Sequence, residues 1–292
     1  MSERAFDPSA PLTPSGNLRR RQIFSRVAES GATLAAVGAV AVLVIVIAAV
    51  VSHGLGALSI DFLTKGTPVG IAPAIVGSAA IVLVATAIAM PVGILTALFV
   101  TEFANKRVAA QIRLMLDLLN GLPSIIIGLF IFGLIVKPTQ QQSALAASVA
   151  LAIIELPMIA RGSQEVLLLV PGSMREAADA LGVSRWRTVL KVILPSALGG
   201  ILTSTVLAVA RAAGETAPLL LICSVFDSRH VSLHLTEAIP NIPVTIFELS
   251  EEGNPEGFTR AWGAGLVLIS FILFASLGAR ALLARSKRRM AS

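Results

Sequence analysis

Long apolar runs alternate with short polar stretches along most of this chain, falling near 31–52, 71–100, 114–136, 144–160, 197–225 and 261–284. A bilayer core of about 30 Å takes roughly 20 residues of helix to cross, so each run predicts one transmembrane span. The expected fold class is an all-α integral membrane protein with six transmembrane helices. The second run is over-long and contains Pro91, which predicts tilt or a kink. The third carries Asp117 in its first turn. Within GLPSIIIG at 121–128, Pro123 frees backbone groups, and Gly121 and Gly128 permit close helix contact. The fourth is near the lower length limit and ends at Pro157 and Arg161. The first is too long for a signal-peptide core and reads as a retained span.

Composition agrees: 55% of the 292 residues are hydrophobic and 14% charged, against about 25% charged in soluble domains. Charge adds orientation. A net charge of +6 invites a nucleic-acid reading, but the distribution excludes it. Lys and Arg cluster at 4, 19, 20, 21 and 26, at 106, 107 and 113, at 161, 175, 185, 187 and 191, and at 280, 285, 287, 288 and 289. The intervening loops hold only Lys65, Lys137, Arg229 and Arg260. That alternation is the positive-inside rule, with both termini cytoplasmic. Anionic membrane lipids account for the basic clusters, and no nucleic acid is required. The stretch 226–260 is the longest external loop and is acidic, with Asp227, Glu237, Glu248, Glu251, Glu252 and Glu256 against two Arg.

Between the fourth and fifth runs lies a polar stretch, SMREAADALGVSRWRTVLKVILP at 173–195. Ser173 and Glu176 have capping-box spacing, so a helix should start at Ser173 and stop at Gly182 in the C′ position. Ser184 should cap a second helix, running to a break at Pro195. A short polar helix held sideways on the cytoplasmic face suits the transmission of force from a soluble partner.

The fifth run contains RAAGETAPLL, which places Arg211 and Glu215 deep in the membrane. An Arg there costs about 2.5–3.5 kcal/mol and needs a partner. Glu215, one turn on, shares its helix face, and Pro218 has no N–H for the carbonyl of Gly214. Either the two charges neutralise each other in an intrahelical salt bridge, or Arg211 lines a watery path and meets an anion. Its planar fork suits phosphate or another oxyanion. Glu215 would then hold Arg211 in place or gate the path. Glu155, inside the fourth run, is either a partner for a buried Arg or a transport residue. His230 and His234 are four apart but have no third ligand nearby, so no metal site is expected. The lone Cys223 cannot form an intrachain disulfide and reads as a small apolar residue. No P-loop, H-E-x-x-H, C-x-x-C or G-x-S-x-G pattern occurs, so no catalytic residue is assigned and energy must come from another subunit.

Glu176, Ala177, Ala178, Gly182, Val192, Leu194 and Pro195 match the spacing of the EAA loop and resemble that of ABC-importer permeases. Arg211 to Pro218, with Gly121-Leu122-Pro123-Ser124 and Pro243-Val244-Thr245-Ile246-Phe247, is similar to the phosphate-specific members of the PstA type. The likeness runs over roughly 68–285. It implies a type I ABC-importer permease core at 68–285, with a cytoplasmic coupling loop at 161–195. Around it lie a cytoplasmic lead-in at 1–30, a first helix and external turn at 31–67, and a basic tail at 286–292; residues 1–18 read as disordered. It further implies a multi-pass subunit of the bacterial inner membrane that imports phosphate by alternating access. Glu176, Ala177, Ala178 and Gly182 would couple to an ABC ATPase dimer, which binds ATP and Mg; this chain would hold no cofactor. The other implied partners are a homologous PstC-like permease and an external phosphate-binding protein. Import of molybdate or sulfate remains an alternative, as does an ion-coupled secondary transporter, although the inverted repeats many such folds show are not seen.

Overall fold

The computed structural model describes residues 18–225 and 228–291, and every regular element among them is a helix. The predicted lead-in therefore falls largely outside the described residues. By packing, the chain divides into two units at Val51/Ser52. The first is the body of α1 (Leu18–Gly54), which begins well before the expected start at 31. Its Val42, Leu43, Val44 and Ile45 are all exposed, as on a helix whose solvent is lipid.

The second unit opens with α2 (Ile60–Thr64), capped by Ser59, whose Oγ accepts from the Phe62 N–H at 3.0 Å. Helix α3 (Ala72–Leu98) passes through Pro91 and runs on through a π-turn at Phe99–Phe103. Next comes α4 (Lys106–Gly121), then α5 (Ser124–Ile131), which continues through a π-turn at Phe132–Val136 into α6 (Lys137–Thr139). The predicted third span at 114–136 is thus not one straight helix: its two halves meet at 95°. Pro123 lacks an N–H and forces Leu122 into extended backbone (ψ 135), which ends the first half.

Helix α7 (Ala144–Leu168) is the central element and passes Pro157 without stopping, ending beyond the expected 160. Its Ala147, Ala150, Leu151 and Ile159 are fully buried against Ala85 and Ala89 of α3. Two short helices follow, α8 (Gly172–Ala180) and α9 (Arg185–Thr188). A π-turn at Val189–Ile193 joins α9 to α10 (Leu194–Ala213), so the expected break at Pro195 is absent. Proline is taken in there because the π-turn shifts the ladder by one residue just before it, with the Leu194 N–H on the Val189 carbonyl, so the chain stays helical through Pro195. Apolar helix is continuous over Arg185–Ala213, well before the expected start at 197. Helices α7 and α10 approach through small residues: Gly162 lies against Ser204, and Gly200 against Val166.

The fifth span also stops short of 225. It ends at Ala213, and α11 (Ala217–Ile222) starts afresh. The late loop expected to be external folds back on the helices as α12 (Ile242–Glu251), burying Ile242, Val244 and Leu249. Asn241 Oδ1 caps it, accepting from the Val244 N–H at 3.1 Å, and Ser78 Oγ on α3 accepts from the Ile242 N–H at 2.8 Å. Helix α13 (Pro255–Ala291) closes the chain, and its apolar stretch is Pro255–Gly278.

Candidate functional site

Arg211 occupies the last turn of α10, and Glu215 lies in the break before α11. The expectation that both share one helix face is corrected: the helix has ended before Glu215 is reached. Pro218 supplies no N–H to Gly214, so the ladder cannot continue. Instead the Gly214 and Glu215 N–H groups turn back onto the carbonyls of Arg211 and Ala212 at 3.0 and 3.1 Å. The two charges still meet, with Arg211 Nε 3.7 Å from Glu215 Oε1, and their side chains are 45% and 16% exposed. That is a loose ion pair, beyond hydrogen-bond length. The other contact of the guanidinium is a weak one, Nη1 to Met158 Sδ on α7 at 3.7 Å. A fork with five donors is thus held in place while most of its hydrogen-bonding capacity stays unspent.

The helix that restarts after this break packs on the second half of the bent third span. Gly128 on α5 packs on Pro218 of α11 so closely that a Cβ there would come within 2.7 Å of the Pro218 Cα. The helices that follow the two interruptions, α5 and α11, therefore meet at Gly128 and Pro218. Irregular backbone at membrane depth is tolerated where protein or a water-filled cavity surrounds it. The other membrane acids are arranged differently. Glu155 on α7 is fully buried and accepts from Thr86 Oγ1 at 3.3 Å, while its Oε2 has no partner among the described residues. Its neighbour is thus a hydroxyl and not the buried Arg considered from sequence. Asp117 on α4 is clamped by Arg161 of α7, whose Nε donates to Oδ1 at 2.8 Å and whose Nη2 reaches both oxygens.

In the polar stretch, α8 begins at Gly172, with Pro171 in the N-cap position. The capping box at Ser173 does not form, because the proline's fixed φ starts the helix one residue early and leaves Ser173 inside the first turn. The stop is as expected. Gly182 takes φ +69, its N–H bonds to the Asp179 carbonyl at 3.0 Å, and the Val183 N–H bonds to the Ala178 carbonyl at 3.0 Å. These are the two bonds of a Schellman motif. Ser184 holds the N-cap position of α9 through its carbonyl, which accepts from Arg187 and Thr188, and not through its side chain. Ala177, Ala178 and Gly182 line one open groove of about 700 Å³ together with Leu181, Arg187 and Lys191. Glu176 is exposed outside that lining.

Two positions that sequence spacing did not single out anchor this loop. Glu102, in the π-turn ending the second span, is 3% exposed at its side chain and pairs with Arg175 of α8 at 2.8 Å. Arg175 Nη1 and Nη2 also donate to the Val170 and Leu167 carbonyls at 2.8 and 3.1 Å. Beside Glu102, the Phe103 ring meets Trp186 of α9 edge-on at 5.1 Å and lies 5.9 Å beneath the Arg185 guanidinium. The available signal was a lone acid, Glu102, closing an apolar run.

Residues 89–291 match the family model of the binding-protein-dependent transport system inner membrane component, which puts the molecule in the class of importer permeases. The phosphate transport system permease protein PstA of Xylella fastidiosa strain Temecula1 is 39% identical over 81% of this chain and 84% of its own length. The PstA protein of Yersinia pestis is 36% identical over 81% of this chain and 82% of its own. The chain belongs to this family, and within it to the PstA permeases, as a multi-pass transport subunit of the inner membrane. Solved structures share the fold. A bacterial alginate ABC transporter complexed with an alginate-bound periplasmic protein matches with a TM-score of 0.65 at 13% identity, over 92% of this chain and 98% of its own. The inward-facing MetNI methionine ABC transporter matches with a TM-score of 0.60 at 18% identity, over 74% of this chain and 94% of its own.

Proposed function

We propose that this chain forms half of the transmembrane pathway of an ATP-driven phosphate importer, working by alternating access. Its partners are a PstC-like second permease, an ABC ATPase dimer that binds ATP and Mg, an external phosphate-binding protein and the surrounding lipids. Arg211 and Glu215 are the pathway residues. Ala177, Ala178 and Gly182, with Glu176 beside them, form the ATPase-docking surface.

One observation carries the substrate reading: Arg211 is held beside a helix break with its guanidinium half-exposed and only loosely paired, at 3.7 Å from Glu215. A dehydrating anion needs a compensating charge that is not already consumed, and a fork geometry matches two phosphate oxygens at once. Glu215 keeps the cation from standing alone between transport events, and its negative charge weakens anion binding enough for release. Arg211→Gln keeps roughly the side-chain length and removes the charge. It should lower phosphate uptake by about 100-fold or more, the loss expected for two charge-assisted hydrogen bonds, with the ATPase still co-purifying. Normal uptake by a well-expressed Arg211→Gln protein would return Arg211 to a plain neutralising pair.

A further inference from the structure

The pair Glu102–Arg175 belongs neither to the groove lined by Ala177, Ala178 and Gly182 nor to the Arg211–Glu215 pair, yet with its two backbone carbonyls it is the most heavily bonded ion pair among the described residues. Arg175 is the one side chain of α8 that reaches three elements at once. Its Nη2 lies 2.8 Å from Glu102 Oε1 at the foot of the second span, its Nη2 also donates to the Leu167 carbonyl, and its Nη1 donates to the Val170 carbonyl. Those two carbonyls lie in the last turn of α7 and just past its end, where the regular ladder has stopped and the Leu167 carbonyl keeps a long bond of 3.3 Å from the Val170 N–H. The second short helix is anchored one residue along, since Trp186 and Arg185 of α9 both bear on Phe103. Both halves of the loop thus take hold of the same two-residue foot. That foot is a π-turn, a helix segment with one extra residue per bond, and such turns occur frequently at functional sites.

We infer that Glu102, held by Arg175, is the positioning residue through which displacement of α8 is passed into the paired spans α3 and α7. The inference rests on the reading of α8 as the ATPase-docking helix. Charge burial makes the joint stiff: Glu102 is almost fully withdrawn from water, so its carboxylate cannot exchange Arg175 for solvent as α8 moves. When the loop is pushed, Arg175 must take Glu102 and the end of α7 with it. Helix α7 then carries the motion to Met158, which touches Arg211. From Leu167 to Met158 is nine residues along one unbroken helix, about 13 Å at 1.5 Å per residue. Arg161, between them, is clamped to Asp117, so the broken span α4–α5 moves with α7 as well. One continuous helix is thus bonded at one end to the loop and touches Arg211 further up, which gives the motion a contiguous route.

The test uses the whole importer, with both permeases, the ATPase and the binding protein, in proteoliposomes. Phosphate taken up per ATP hydrolysed is measured alongside the amount of ATPase retained on purification. Glu102→Gln and Arg175→Gln should each keep the ATPase at the unaltered stoichiometry while uptake per ATP falls about tenfold. The double variant should lose no more than either single one, since the two side chains act as a unit. Glu102→Asp should restore a measurable part of the ratio. An unchanged ratio in an assembled Glu102→Gln complex overturns the inference, as do single losses that multiply in the double variant. If Glu102→Gln fails to accumulate, Arg175→Lys decides, because it keeps the charge but cannot span Glu102 and two carbonyls at once; an unaltered ratio there overturns the inference equally. Gly182→Pro, run in parallel, separates the two readings: it should lose the ATPase itself. ATPase retained by Gly182→Pro overturns the docking assignment, and the inference with it, whereas ATPase lost by Gly182→Pro with an unchanged ratio in Glu102→Gln overturns the inference alone.

Discussion

Two Arg–Glu pairs in this protein use the same chemistry in opposite ways. Arg175 and Glu102 meet at 2.8 Å, with the carboxylate side chain 3% exposed and the guanidinium spending further donors on two carbonyls. Arg211 and Glu215 stand 3.7 Å apart, and the guanidinium side chain is 45% exposed. A buried charge whose partner is removed is left uncompensated, which is costly. An exposed or loosely held pair contributes little, because water replaces either partner. The first pair is therefore a fixed joint, and the second a charge that can be re-partnered. What decides between them is the backbone around each: the Glu102 pair ties together three helix ends, whereas the Arg211 pair sits at an interruption that keeps the side chains from closing.

The largest effect that would break this contrast is on transport at Arg211. Beyond the collapse expected for Arg211→Gln, Arg211→Lys keeps the charge and loses the fork, so phosphate uptake should fall by about tenfold and not about 100-fold. Equal losses in both would show that the planar fork, and not the charge, is what the pathway uses. Stability should show the reverse order. Arg175→Met strands Glu102 in the protein interior and should destabilise the permease by about 3–5 kcal/mol in detergent unfolding. Glu215→Gln should shift the same measurement by less than about 1 kcal/mol. Comparable shifts for the two would erase the distinction between joint and free charge. The smallest effect is at the loop itself. Gly182 has φ +69, so Gly182→Ala should cost about 1–2 kcal/mol locally and partly weaken ATPase retention, with membrane insertion unchanged. Retention equal to that of the unaltered protein would mean that the stop of α8 is not needed for docking.

Much of this was legible in the order of residues. Apolar runs located the spans because lipid leaves a chain no alternative to helix, and Gly182 located the stop of α8 because few other residues accept a positive φ cheaply. The candidate site residues were likewise marked by cost: Arg211 is expensive within an apolar run, and the polar stretch at 173–195 does not fit among apolar runs. Local signals failed where two of them competed. The S-x-x-E spacing at Ser173 lost to Pro171, whose fixed φ starts the helix first. At Pro195 the expected break gave way to a π-turn that takes the proline in at the start of a new helical segment. In both places several backbone geometries satisfy the same residues, and packing chooses among them.

The sequence by itself determined the solvent, the class of fold and the costly residues, because those depend on transfer free energies that act residue by residue. Only the tertiary structure decided which charges are joints. Glu102 and Arg175 are 73 positions apart, and nothing in either neighbourhood names the other. Their pairing follows from where α3 and α7 end relative to α8, and a helix end is placed by close packing along its whole length. The same holds for the folding back of α12, whose first N–H finds Ser78 on α3 across 164 positions. A buried backbone group must find some partner, but which partner is near is a fact about the assembled helices alone.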